Sequence, residues 1–109
     1  MKALLFACLL AGLLLPAAAA AQDCDALLEW EVVFSLAHDE IVDYQTDTSI
    51  EVDYRIRACE VYISRVEEFL STYPKYCDTQ NSIKDLSEMR DNVQYIMQDL
   101  QSQSGGSRY

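Results

Sequence analysis

Apolar residues recur at every third or fourth position through three long segments of this chain, and few folds accommodate that pattern. Leu27, Trp30, Phe34, Ala37, Ile41 and Tyr44 form the first set. Val52, Ile56, Cys59, Ile63, Val66, Leu70 and Tyr73 form the second, and Leu86, Met89, Val93, Ile96 and Leu100 the third. A repeat near 3.5 residues places each set along one side of an α-helix. Leu28, Val33, Phe69 and Ile83 adjoin these stripes and are expected to widen them into the broad apolar face that a bundle core requires. Strand-like alternation never extends beyond a few residues.

Start and stop signals divide the pattern. Asp23 and Asp25 stand where a first helix would begin, favourable to the positive end of its dipole. Thr48-Ser49-Ile50-Glu51 reads as a capping box, with the Thr hydroxyl and the Glu carboxylate satisfying first-turn amides of a second helix. Pro74 restricts Tyr73 and closes that helix, and Asp78, Asn81 and Ser82 offer caps for a third. The expected helices are 25–45, 49–73 and 82–102. Short connections make neighbours antiparallel, so the expected fold is all-α, a three-helix up-down-up antiparallel bundle spanning 22–102. Residues 103–109, rich in Ser and Gly without periodicity, are expected to form a disordered tail.

Ahead of the bundle, residues 1–21 have the layout of a cleaved signal peptide. Met1-Lys2 is a short positive start, Ala3 to Leu15 an apolar run, and Ala19-Ala20-Ala21 a small-residue cleavage site before Gln22. A periplasmic or secreted location follows as an expectation, with no stable membrane insertion after cleavage. Such a compartment oxidises thiols, and three cysteines would remain: Cys24, Cys59 and Cys77. Disulfide geometry requires Cα atoms within about 7 Å. Cys59 lies about 21 Å along an unbroken second helix from its end, too far from either partner. Cys24 and Cys77 fall at the same end of the bundle and are the expected disulfide. Cys59 then occupies a seam position as a buried thiol behaving as a small hydrophobe, with an intermolecular Cys59–Cys59 bond or another intrachain pairing as the alternatives.

Charge carries the functional expectation. The formal net charge is −10, and loss of the single positive charge of Lys2 takes it to −11. A surface of that sign repels nucleic acid and anionic headgroups and favours basic partners. Eight acidic residues and no Lys or Arg lie between Asp23 and Asp47. Glu29, Glu31, Asp39, Glu40 and Asp43 are therefore the candidate partner-binding residues. In the second helix, Glu51/Arg55 and Asp53/Arg57 are spaced for i,i+4 ion pairs. Tyr54, Tyr62, Tyr76 and Tyr95 fall off the apolar stripes and suit an interface edge.

Catalytic signals are missing. The chain has one histidine, His38, whose helical neighbours Phe34, Ser35, Ile41 and Val42 are poor ligands, so a solvated imidazole is expected. Asp39, Glu40, Asp43 and Asp47 lack the loop oxygens and glycine turn of a calcium site. There is no C-x-x-C and no glycine-rich phosphate loop. No enzymatic activity, metal or cofactor is expected. The favoured reading is a small exported protein that binds another, basic, protein as an inhibitor, immunity factor or assembly accessory. An acid-activated holdase chaperone and a structural bundle that forms a homodimer are the alternatives.

Overall fold

The computed structural model describes residues 24–106, so the expected signal peptide lies outside the described residues, as do 107–109. The described chain forms helix α1 (Cys24–Tyr44), helix α2 (Val52–Ser71), a single 3-10 turn (Lys75–Cys77) and helix α3 (Ser82–Gly106). All three helices contact one another, and α2 against α3 is the most extensive pairing. The arrangement is the expected three-helix up-down-up bundle.

Cross-helix bonds give the register. His38 of α1 meets Asn92 of α3, and Gln45 just beyond α1 meets Asp99, both pairs separated by 54 residues in sequence. A constant offset over seven residues means that α1 and α3 run parallel for two turns. Helix α2 returns between them. Its N-terminus lies beside the end of α1, and its C-terminus lies near the start of α1.

The three apolar stripes meet in one core. Leu27, Phe34, Ala37, Ile41 and Tyr44 from α1 pack with Ala58, Cys59, Tyr62, Val66 and Phe69 from α2 and Leu86, Val93, Ile96 and Leu100 from α3. Phe34 is its hub, with ring centroids 5.3 Å from Phe69 and 6.0 Å, edge-on, from Tyr62. Each large aliphatic or Phe side chain buried in this way contributes roughly 1.5–3 kcal/mol. Tyr62, expected at an interface edge, is wholly buried here. Position 62 lies on the same side of α2 as Cys59, Val66 and Phe69, so the core takes the ring and its hydroxyl with it. Leu28 departs in the other direction. It was expected to widen the core stripe, and it faces solvent.

The ends of the bundle differ from the capping signals. Helix α2 starts at Val52, and Glu51 at its N-cap makes no side-chain cap bond. The expected capping box does not form, because Asp47 engages the segment first. Its carboxylate accepts from the Ser49 amide at 3.0 Å and from the Ser49 hydroxyl, holding residues 47–49 as a turn. Arg55 then secures the connection. Its buried guanidinium donates from Nε to the Ile50 carbonyl and from Nη1 to the Tyr44 carbonyl, both at 2.9 Å. Tyr44 ends α1, where carbonyls lack intrahelical partners and the dipole favours a cation. Arg55 is thus turned toward these carbonyls and not toward Glu51, and Arg57 approaches Glu60 at 4.0 Å in an i,i+3 pair.

At the other end, α2 stops at Ser71, two residues before the expected stop at 73, with Thr72 as its C-cap and Pro74 following. The Asp78 carboxylate accepts from the Ile83 amide at 3.2 Å and caps α3. Asn81 precedes the helix at φ 59°, a left-handed geometry that Asn tolerates better than most residues. Cys24 and Cys77 are bonded, with Cα atoms 5.4 Å apart, closing a loop with a sequence separation of 53. The bond joins the start of α1 to the connection between α2 and α3. Helix α3 continues through Gln103 to Gly106, four residues beyond the expected boundary at 102. A solvated helix end needs no apolar stripe to prolong it, so periodicity did not locate it.

Candidate functional site

Helix α1 carries the candidate site. Six carboxylates and no Lys or Arg lie between Cys24 and Tyr44. The fold sorts the five residues named from the sequence into two groups. Glu29, Asp39 and Asp43 are exposed, joined by Asp25 one turn before Glu29. Glu31 and Glu40 are withdrawn from that face.

Glu31 is half-buried and accepts a hydrogen bond from the Tyr73 hydroxyl at 2.9 Å. The Cys77 carbonyl lies 3.4 Å from the same hydroxyl, and the buried Ser82 side chain also bonds to it. Burial raises the Tyr73 phenol above its ordinary range, so it remains a donor at neutral pH. Glu31 therefore fastens α1 to the disulfide end of the bundle. Glu40 is only 2 % exposed. Its position, three residues after Ala37 and four before Tyr44, puts it on the inner side of α1. The Tyr44 phenol beside it is pushed above the ordinary range by burial first and by Glu40 second. Neither Glu31 nor Glu40 can meet a partner as the exposed carboxylates can.

The exposed face also holds apolar residues: Val32 and Leu36, which lie off the core stripe, and Leu28, which was expected to widen it. Val32 is 59 % exposed, Leu36 53 % and Leu28 37 %. They are spaced i, i+4, i+8 and form a ridge on the outer side of α1, displaced from the core stripe. Asp25 and Glu29 flank its N-terminal end, and Asp39 and Asp43 its C-terminal end. The signal for this ridge was present in the sequence as a second apolar register along the helix. The core stripe, being longer, concealed it.

Beside the ridge, Ser35, His38 and Asn92 line a shallow depression of about 500 Å³ between α1 and α3, with Asp85, Glu88 and Met89. His38 is not the solvated imidazole expected; its side chain is mostly covered. Asn92 Nδ2 lies 2.9 Å from Nε2, and Asp39 Oδ1 lies 3.3 Å from Nδ1. The tautomer protonated at Nδ1 satisfies both contacts, with Nδ1–H donating to Asp39 and Nε2 accepting from the amide. Ser35 shares the depression, but Nε2 is committed to Asn92. The imidazole serves as a strut between helices.

Cys59 is the remaining reactive group. It is a free, fully buried thiol, and burial pushes its pKa up to about 12. A thiol so placed is neither a nucleophile nor accessible to a second copy, which removes the intermolecular Cys59–Cys59 bond. Among the described residues, no group of three or more His, Cys, Asp or Glu side chains is arranged to hold a metal ion. No helix among them is long and apolar enough to cross a membrane. Of the off-stripe tyrosines, Tyr54, Tyr76 and Tyr95 are exposed. Comparison with protein-family models, curated proteins and solved structures gave no match to the chain.

Proposed function

We propose that this chain is an exported acidic binding module that docks a basic protein through the solvent-facing side of α1. In that role it acts as an inhibitor, immunity factor or assembly accessory, by contact and not by catalysis. The observation that supports this reading is the one-sided charge of α1. Asp25, Glu29, Asp39 and Asp43 all face outward on a helix that carries no Lys or Arg. Elsewhere on the surface the signs are mixed: Arg57 with Glu60, Arg65 with Glu68 and Arg90 with Asp91 form local pairs. Like charges gathered on one face destabilise a helix slightly and favour encounter with an oppositely charged surface.

Site-specific photo-crosslinking in the producing cell tests the reading. A crosslinker at position 39 is expected to give a discrete protein adduct, and one at the exposed Glu67 of α2 is not. A crosslinker at the exposed Ser35 should give the same adduct in the otherwise unchanged chain and lose it when Glu29→Gln, Asp39→Asn and Asp43→Asn are combined. Equal adduct patterns from both faces, or an adduct that survives neutralisation, would overturn the proposal.

A further inference from the structure

We propose that the partner element received by α1 is an amphipathic helix, apolar along one face and basic on its flanks, lying across Leu28, Val32 and Leu36. The inference rests on the reading of α1 as the docking face and adds the shape of what docks there. Three large aliphatic side chains, each more than a third exposed, stand in consecutive turns of one helix. Isolated surface aliphatics are ordinary, but a contiguous ridge marks an interaction surface. The ridge runs from position 28 to position 36, about 12 Å of helix axis. Such an i, i+4 ridge fits between the i±4 rows of a second helix crossing at about 50°.

Charge selects the occupant. A second copy is disfavoured in either direction. In a two-fold pairing about Val32, Leu28 would face Leu36 and Asp25 would face Asp39, bringing the acidic ends of the two ridges together. A parallel pairing would set each carboxylate against its own equivalent. A membrane surface with anionic headgroups is repelled by the same four side chains. A helix with Lys or Arg flanking its apolar face satisfies both parts of the surface at once. Its aliphatic residues cover the ridge, and its cations reach the carboxylates at the two ends. On the α3 side, Asp85 and Glu88 at the depression beside Ser35 continue the acidic border.

Two synthetic peptides of about 18 residues and identical Leu/Lys composition provide the probe, long enough for several helical turns. In one, the leucines follow helical spacing on a single face; in the other, the order is scrambled so that no face is apolar. Titration into the full-length protein by calorimetry and methyl NMR is expected to show binding of the amphipathic peptide, with shifts at Leu28, Val32 and Leu36. Val32→Ser should weaken it about tenfold, the scale set by losing one buried aliphatic contact. Val32 is exposed, so its thermal unfolding should be unchanged. Equal binding of both peptides, or full affinity in Val32→Ser, would overturn the helix proposal. If affinity is then lost in Glu29→Gln/Asp39→Asn/Asp43→Asn, the acidic docking reading survives without it. If that variant also binds normally, both fail. Self-association of the unliganded protein that Val32→Ser abolishes would identify a second copy as the occupant and would also overturn the proposal.

Discussion

Replacing Arg55 should be the most damaging single change to the surface-proximal structure, although sequence spacing suggests only a helix-surface ion pair. The guanidinium is buried and bridges two backbone carbonyls, Tyr44 at the end of α1 and Ile50 in the connection. A hydrogen bond from a charged donor contributes about 1.5–3 kcal/mol net. Two such bonds, offset by the cost of burying the charge, leave an expected loss of about 3 kcal/mol for Arg55→Met, which keeps the apolar stem. In a domain of this size, each kcal/mol lowers the melting temperature by about 4–8 °C. The melt should therefore fall by roughly 12–24 °C. Arg55→Lys should recover only part of it, because a single ammonium cannot bridge two carbonyls in the geometry of the planar fork. Glu51→Gln should change stability by less than about 0.5 kcal/mol, since Glu51 is not the partner of Arg55. Circular dichroism melts of the three variants test the set. An Arg55→Met melt within experimental error of wild type, or an Arg55→Lys that fully restores stability, would refute the bridging role.

Three further outcomes follow from groups in or beside the core. Tyr62→Phe should be neutral or stabilising by about 1 kcal/mol, because its buried hydroxyl has no hydrogen-bond partner among the described residues and removing it ends that cost; a clear loss in denaturant unfolding would show that the hydroxyl is satisfied. Cys59 should resist alkylation in the native state at pH 8. Its folded pKa, raised from 9.0 to about 12, lies above its unfolded value. Its contribution to stability is therefore complete below about pH 9 and is lost as pH rises toward 12. Cys59→Ala should flatten the stability profile across that window while costing about 1–2 kcal/mol of packing at neutral pH. Reducing the Cys24–Cys77 bond, which spans 53 residues, should remove about 4 kcal/mol on the chain-entropy account. That is a large part of the 5–15 kcal/mol typical of a domain, and unfolding that shifts by less than about 1 kcal/mol would contradict it.

Long-range architecture was legible because it depends on period and reach. Stripe residues such as Phe34, Cys59 and Val93 identify three helices, and helix length alone separates Cys59 from either cysteine partner. Competition between local groups was not legible. Thr48 and Glu51 have the spacing of a capping box, yet Asp47 takes the Ser49 amide and Arg55 takes the carbonyls, choices decided by the approach of α1 to α2. Site residues divided in the same way. The acidic character of α1 is plain in the sequence, but the inward turn of Glu40 depends on where the core stripe settles, and the bond from Tyr73 to Glu31 joins residues 42 apart in sequence. Tyr62 shows the converse. Its polar group suggested an edge position, and burial of the aromatic ring against Phe34 outweighed the hydroxyl.

The central claim is that α1 steers a basic partner through carboxylates that face outward. The most direct test is the association rate of the photo-crosslinked partner, or of the amphipathic Leu/Lys peptide in its place, across ionic strength. Wild type is compared with Glu29→Gln/Asp39→Asn/Asp43→Asn and with Glu31→Gln. The account predicts that the triple variant associates about tenfold more slowly at low salt with a flattened salt dependence, since steering arises from the summed field. Glu31→Gln, whose side chain is held by Tyr73, should retain most of the wild-type rate and slope. Equal rates and slopes for wild type and the triple variant would contradict the claim and leave the acidic face as a device for solubility alone.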